Sequence, residues 1–103
     1  MNQNILFIDT SAINTAKVAV EVDGKHFEKT RESKVMKSQT VLPLIEELLT
    51  ERNMSLKDIT AITVATGPGS FTGLRVGVSI ANALGFLLQV LVNDDKGLAT
   101  PVY

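Results

Sequence analysis

The most informative stretch of the sequence is Gly67-Pro68-Gly69-Ser70-Phe71-Thr72-Gly73-Leu74-Arg75-Val76-Gly77. The apolar run before it, Ile59 to Ala65, predicts a strand in which Ile62 and Val64 point inward. Glycines 67 and 69 predict a sharp turn, and Ser70 is a favoured residue for capping the helix that follows. The stretch therefore predicts strand, turn and helix, with the helix running from Phe71 to Leu88.

The glycine turn does not match the known phosphate-binding motifs. A Walker loop needs a lysine before its Ser or Thr, and this segment has no lysine. A dinucleotide fingerprint needs a third glycine where Thr72 stands. Two interpretations remain: a plain strand-to-helix turn, or an anion held by the first N–H groups of the helix.

The helix after the turn carries a stripe with almost no side chain, because small residues recur every four positions at Gly73, Gly77, Ala81 and Gly85. We expect the sheet to be covered by the larger residues beside the stripe, Val76, Ile80, Leu84 and Leu87. Each glycine costs about 1 kcal/mol of helix stability relative to alanine, which favours a close-packing role. The stripe then receives either the first helix of this chain or a helix of another protein.

The remaining elements follow from periodicity. Ile5 to Ile8 predicts a buried strand that ends in Asp9-Thr10-Ser11, and Ala16 to Val22 alternates like a second strand. Asp23-Gly24 predicts a two-residue hairpin that leads into a charged edge strand, Lys25 to Glu32. Apolar residues spaced by three and four then predict a helix from Val41 to Arg52, with Pro43 in its first turn.

With a last strand at Val90 to Val92, the predicted order is β-β-β-α-β-α-β. Right-handed crossovers would place the fourth and fifth strands beyond the first. This order predicts an α/β fold, namely a single ribonuclease-H-like lobe with a mixed five-stranded sheet and two main helices. The lobe is expected to span residues 1–95, with an irregular tail at 96–103.

Composition narrows the function classes. The 103 residues carry a net charge of −1 and no cysteine, which excludes disulfides and thiolate chemistry and gives no sign of a nucleic-acid surface. The apolar window Val76 to Val92 is interpreted as a buried helix leading into a buried strand rather than as a membrane span. A cytoplasmic protein is expected.

Three segments resemble one family in the correct order. Ile5-Leu-Phe-Ile-Asp-Thr-Ser11, Val41-Leu-Pro-Leu-Ile-Glu-Glu-Leu-Leu49 and Gly67 to Gly77 are similar to the opening, the first helix and the glycine signature of the TsaB (YeaZ) family. These proteins are relatives of the TsaD/Kae1 group. The resemblance covers residues 4 to about 95, whereas family members usually have about twice the length of this chain and a second lobe.

The resemblance implies a non-catalytic subunit of the complex that forms N6-threonylcarbamoyladenosine in tRNA. It implies pairing with the catalytic TsaD, a complex joined by TsaE, self-pairing in the absence of TsaD, and only indirect contact with tRNA. It also implies no cofactor in this subunit, with ATP and magnesium acting only at the level of the whole complex. Carried onto this sequence, the interface residues are Val41, Leu44, Ile45, Leu48, Phe71, Thr72, Gly73, Arg75, Val76, Gly77, Ile80, Ala81 and Leu84.

Lys37 stands where many members have a histidine, and the histidine pair with which the catalytic relatives hold a metal is missing. This departure implies that the chain does no metal chemistry. A zinc peptidase is likewise excluded, since these residues cannot build its site.

Some residues carry weaker hypotheses. Asp9, Thr10, Ser11, Gly67 and Gly69 form either a vestigial nucleotide site, as in a small ATP-hydrolysing lobe, or a structural turn. His26 is interpreted as an exposed residue of the edge strand. The basic residues between Lys25 and Lys37 form either a weak tRNA contact or a solvated surface.

Overall fold

The computed structural model describes residues 3–33 and 37–93, which form five strands and two helices. The strands are β1 (Asn4–Asp9), β2 (Thr15–Val22), β3 (Lys25–Glu32), β4 (Ala61–Val64) and β5 (Leu91–Val92). The helices are α1 (Lys37–Glu51) and α2 (Phe71–Leu88), and a short 3₁₀ turn at Leu56–Asp58 precedes β4. The predicted element order is confirmed, with the 3₁₀ turn as an addition.

The sheet has the order β3-β2-β1-β4-β5. β1, β2 and β3 pair antiparallel, whereas β4 pairs parallel to β1 and β5 parallel to β4. The two helical crossovers therefore carry the chain to the far side of β1, as right-handed connections require. The mixed five-stranded, ribonuclease-H-like lobe predicted from the sequence is confirmed.

The hairpin between β2 and β3 has the predicted two-residue turn. Asp23 and Gly24 both adopt positive φ, at 52° and 80°, and Val22 pairs directly with Lys25. Two positive φ angles are the requirement of a type I′ turn, which explains the Asp-Gly sequence.

Both helices pack on the same face of the sheet, where the apolar core lies. From the sheet, the core contains Leu6, Ile8, Val18, Val20, Ile62 and Val64. From the helices, it contains Val41, Leu44, Ile45, Leu48, Leu49, Val78, Ala81 and Leu84. At the edge, Arg52 of α1's carboxyl end lies over the Phe27 ring at 4.5 Å, so β3 also contributes to this face.

Helix α1 and strand β5 differ from their predicted bounds. The helix already includes Lys37, upstream of the first apolar repeat, so Pro43 lies inside it rather than in its first turn. The residues that extend the helix, Ser38 to Thr40, are polar and give no apolar signal. Strand β5 begins at Leu91 rather than at the predicted Val90, because the Val90 N–H still bonds to the Gly85 carbonyl at the end of α2. The predicted tail, residues 96–103, lies outside the described residues, as do the last two residues of the predicted lobe, 94 and 95.

The side chain of Asn93 continues the sheet where β5 stops. Its Oδ1 accepts from the Val64 N–H at 2.8 Å, and its Nδ2 donates to the Val64 carbonyl at 3.1 Å. The amide thus satisfies both main-chain groups of Val64 that a longer β5 would have paired.

Within residues 3–33 and 37–93, α2 is long and apolar enough to cross a membrane by length and composition. Core helices pass the same criterion, and α2 packs Leu74, Val78, Ala81 and Leu84 inside the protein. This agrees with the interpretation of a buried helix.

Candidate functional site

The end of β1 lies directly against α2, and Thr10 makes the contact. Its side chain is completely buried. The hydroxyl donates to the Gly73 carbonyl and accepts from the Gly77 N–H at 3.1 Å. These two helical groups are four residues apart, so one hydroxyl serves both members of a pair that normally bonds within the helix.

The glycines of α2 make this approach possible. A Cβ on Gly73 would collide with the main-chain oxygen of Thr10, and a Cβ on Gly77 would collide with the Thr10 hydroxyl. At the other end, a Cβ on Gly85 would lie 2.5 Å from Cγ2 of Val92 in β5. Ala81 between them is fully buried.

The small-residue stripe is therefore filled by the strands of this chain, and the prediction that a helix packs into it is wrong. Neither α1 nor a helix of another protein can enter, because Thr10 and Val92 already occupy the space. The companion prediction is also wrong in part. Leu84 faces the core, and Val76 and Ile80, although partly exposed, pack against it. Leu87 is the exception, since it is 71% exposed.

Burial divides the predicted interface residues into two groups. One group lies inside the chain's own core and offers no surface: Val41, Leu44, Ile45, Leu48, Gly73, Gly77, Ala81 and Leu84. The other group reaches the surface: Phe71, Thr72, Arg75, Val76 and Ile80. The three- and four-residue spacing in α1 identified the face that packs on the sheet, which is the usual meaning of such spacing.

The outward side of α2, together with Leu42 of α1, is rich in large apolar side chains. Phe71 is 54% exposed, Phe86 86%, Leu87 71% and Leu42 40%. Val76 and Ile80 line a groove that also includes Ser38 of α1. We call this set of six residues the outward face. The exposure of Leu42 and Phe86 was not predicted from the sequence, and Leu87 was predicted to face the core.

Arg75 provides the charge on this side of α2. Its guanidinium carbon lies 5.4 Å from the centre of the Phe71 ring, a cation–π distance. Arg75 also lines the groove beside Val76, Ser79 and Thr72. A partner surface that binds here has to accommodate one fixed positive charge beside an aromatic ring.

The residues of the hypothetical nucleotide site do come together, but they bond to one another. Asp9 Oδ1 accepts from the Ser11 N–H at 2.9 Å and from the Ser11 hydroxyl at 2.5 Å. The Ser70 N–H donates to the Ser11 carbonyl at 2.8 Å, and a Cβ on Gly69 would lie 2.6 Å from Cβ of Ser11. Gly67, with φ of 140°, is exposed at the turn. The hydroxyl of Thr10 is unavailable to a nucleotide because it is buried and bonded to α2.

The cap of α2 follows the prediction, since the Ser70 hydroxyl accepts from the Gly73 N–H at 3.3 Å. Among residues 3–33 and 37–93, no three His, Asp or Glu side chains lie close enough together to hold a metal ion. His26 is exposed, as predicted, and its ring lies 5.6 Å from that of Phe7.

Lys37, at the start of α1, has a role that sequence reasoning missed. Its Nζ donates to the Ala12 carbonyl and lies 3.4 Å from the carbonyl oxygens of Thr10 and Ile13. Burial lowers the pKa of Lys37, and the negative charge of Asp9 opposes that shift. No motif marks the contact, because its acceptors are main-chain atoms.

Two basic residues of β3 are paired with acids of α1. Lys29 bonds to Glu51 and Arg31 to Glu47, each at 2.5 Å. The hydrogen bond from Arg31 lowers the pKa of Glu47 and, reciprocally, raises that of Arg31. Lys29 and Arg31, two of the basic residues considered for a tRNA contact, are therefore balanced by neighbouring acids. Lys34 lies outside the described residues.

Comparison with known proteins agrees with this architecture. The sequence pattern of TsaD, the tRNA N6-adenosine threonylcarbamoyltransferase, matches residues 31–93. The "tRNA threonylcarbamoyladenosine biosynthesis protein TsaB" of Escherichia coli is 42% identical over 83 residues, which are 78% of this chain and 34% of that protein. The TsaB of Bacillus subtilis is 33% identical over 96 residues, 93% of this chain and 42% of that protein.

The solved structure of YeaZ from Pseudomonas aeruginosa superposes with a TM-score of 0.80 at 31% identity. The match covers 87% of this chain and 41% of that one, so the chain spans about two-fifths of its relative's length. The sequence pattern of the family covers both helices and strands β4 and β5. The chain accordingly belongs to the TsaD family, and within that family it matches TsaB (YeaZ).

Proposed function

We propose that this chain is a docking lobe in the machinery that forms N6-threonylcarbamoyladenosine in tRNA. In this proposal it performs no chemistry itself. It binds the catalytic TsaD subunit through the outward face, and it pairs with a second copy of itself when TsaD is absent. TsaE joins the resulting complex in the cytoplasm, and tRNA is contacted by the partners.

The observation that carries the proposal is the exposure of Phe71, Phe86 and Leu87 on one helix. Scattered single apolar residues are ordinary on protein surfaces, but several large ones exposed along one helix favour an interaction site. Val76 and Ile80 extend this group into the groove that Ser38 also lines. A helix of the partner that lies along this groove would cover Phe71, Val76 and Ile80. It would have to continue to the carboxyl end of α2 to reach Phe86 and Leu87.

The state of the polar residues supports a role without catalysis. The Thr10 hydroxyl is hydrogen-bonded to the backbone of α2, and the Asp9 carboxylate accepts two hydrogen bonds from Ser11. A catalytic acid or base must reach the proton that it transfers. Thr10 cannot do so from its buried position. ATP and magnesium, in this proposal, belong to the whole complex.

The binding energy for the partner then comes from the large outward residues of α2 and not from its small-residue stripe. The small residues act indirectly, because they let α2 settle on β1 and β5 and so present its larger side chains outward. The contact with the partner is then made by aromatic and branched residues, the types that dominate protein interfaces. Arg75, beside Phe71, favours an acidic residue on the partner.

The test replaces Leu87 with Glu and compares it with Leu91→Glu. Leu87 lies in the outward face, whereas Leu91, 40% exposed, lies on β5 next to the inward-pointing Val92 and so on the opposite side of the sheet. Binding to TsaD from the same source is measured by calorimetry, and self-pairing by light scattering. We expect Leu87→Glu to weaken both by at least about tenfold, because a charge would be buried in an apolar contact.

Leu91→Glu should bind like the unaltered chain. If both variants bind normally, the outward face is not the docking surface. Calorimetry with millimolar magnesium ATP and the chain alone examines the alternative of a nucleotide-hydrolysing lobe. Heat of binding in that experiment, abolished by Asp9→Asn, would favour the alternative over the docking lobe.

A further inference from the structure

Lys37 places a positive charge among main-chain oxygens of the turn between β1 and β2. Its Nζ donates to the Ala12 carbonyl, and the carbonyl oxygens of Thr10 and Ile13 both lie 3.4 Å away. All three acceptors belong to one short segment, so the turn directs several carbonyls toward a common point. An ammonium group has three donors and no acceptor, which suits this arrangement.

Converging carbonyl oxygens are the ligands that proteins use to bind simple cations. Their partial negative charges repel one another unless a cation lies between them. Here the cation is covalently attached to α1. The Asp9 carboxylate adds a favourable charge, although its own hydrogen bonds go to Ser11.

The ammonium also reaches α2. A Cβ on Gly73 would lie 3.1 Å from Lys37 Nζ, so the amine lies beside the first turn of that helix. One group thus contacts the turn that follows β1, the start of α1 and the start of α2. The buried Thr10, whose hydroxyl bonds to α2, lends its carbonyl to the same cluster.

We propose that the Lys37 ammonium is the built-in occupant of a cation site made by the carbonyls of Thr10, Ala12 and Ile13. Lys37 is a positioning residue: it fixes the turn and holds the amino ends of both helices to it. Removal of the side chain leaves a cradle that binds a small monovalent cation, such as ammonium or potassium. The inference does not depend on the docking function.

The experiment compares Lys37→Ala with Lys57→Ala, an exposed lysine on the 3₁₀ turn. Each full-length chain is unfolded thermally in tetramethylammonium chloride and then in ammonium or potassium chloride at the same ionic strength. Hydrogen exchange of the amides at positions 11–14 is followed in the same salts. Tetramethylammonium supplies equal screening but is too large for the cradle and has no N–H donor.

We expect Lys37→Ala to lower the melting temperature by about 5 °C in tetramethylammonium, as the loss of roughly 1 kcal/mol would do in a domain of this size. Ammonium or potassium should restore at least about half of that loss and slow exchange in the turn. The unaltered chain and Lys57→Ala should respond equally to all three salts.

A Lys37→Ala variant as stable as the unaltered chain would overturn the proposal, as would equal recovery in all three salts. If this variant does not fold, Lys37→Gln is tested in its place. The glutamine amide can donate to two carbonyls, but it blocks the cradle. We expect Lys37→Gln to be intermediate in stability and insensitive to the choice of cation. A cation-specific recovery in Lys37→Gln would contradict the assigned position of the site.

Discussion

The two sides of α2 are both apolar, yet they are apolar in different ways. The inward side has glycine and alanine at the closest contacts, and the strands of the same chain fill the space that absent side chains leave. The outward side has phenylalanine, leucine, isoleucine and valine, and several of these remain exposed. The small residues of the inward side are already in close contact with other parts of the same chain. The large exposed residues are the ones to which the docking proposal assigns the contact with a partner.

This difference assigns separate tasks to the two sides. A change on the inward side should alter the free energy of unfolding, whereas a change on the outward side should alter association and leave folding intact. The helix signature from Gly67 to Gly77 thus belongs mainly to the architecture of the lobe, because Gly73 and Gly77 hold β1 against α2.

The largest effect is expected for Gly73→Ala. The new Cβ would collide with the main-chain oxygen of Thr10, and a backbone atom cannot rotate away. Overpacking of this kind costs about 3 kcal/mol, and the better helix propensity of alanine returns only about 1 kcal/mol. Urea unfolding followed by circular dichroism measures the loss.

Ala83→Leu is the matched control, since Ala83 is exposed on the same helix. Although it adds more atoms than Gly73→Ala, its free energy of unfolding should change by no more than about 0.5 kcal/mol. If Gly73→Ala is as stable as Ala83→Leu, the two sides of α2 are not distinct in the way described.

A smaller effect is expected for Thr10→Val, which keeps the shape and removes the hydroxyl. The Gly73 carbonyl and the Gly77 N–H lose a buried partner, at a cost of about 1–3 kcal/mol. Thr63→Val, at an exposed position of β4, provides the comparison and should change stability by less than about 0.5 kcal/mol. Equal unfolding midpoints for the two variants would mean that the helix closes its own hydrogen bond once Thr10 is replaced.

The smallest effect is expected when the pH is lowered. It involves α1, which has an ion pair, and not the buried side of α2. The buried residues of α2 include no titratable group, whereas α1 pairs Glu47 with Arg31. Arg31 holds the pKa of Glu47 below its ordinary value of 4.5. The pair therefore stabilises the fold above that pH, and this contribution is lost as the pH falls through the lower, folded-state pKa.

Glu47→Gln should consequently lose less stability than the unaltered chain when the pH is lowered from 5 to about 3. The difference should be slight, because exposed ion pairs contribute little. Urea midpoints across that pH range measure it, with the exposed Glu46→Gln as control. A larger acid sensitivity in Glu47→Gln than in the unaltered chain would reverse the sign and refute the assignment.

The sequence was sufficient for the fold because its signals are local. Asp23-Gly24 specified the hairpin, alternation specified β2 and β3, and the bounds of β3 and α2 agree with the prediction to the residue. The sheet order agrees with the prediction that the fourth and fifth strands lie beyond the first.

The candidate site was harder to predict because its contacts are remote in sequence. Gly77 meets Thr10 across 67 positions, and nothing local shows that a strand end rather than a helix fills the stripe. Leu87 and Val78 are equally apolar, so composition does not tell which of them faces solvent. The acceptors of Lys37 are carbonyls, which every residue possesses and no motif records.

Asn93 has a consequence for how the protein behaves at high concentration. A strand of only two residues would leave the neighbouring N–H and carbonyl of Val64 free to recruit a strand from a foreign polypeptide. The amide of Asn93 satisfies both groups with a side chain that offers no continuing backbone. The sheet therefore ends at this position. A strand of another chain that approached β4 here would find no free main-chain group on Val64 with which to pair.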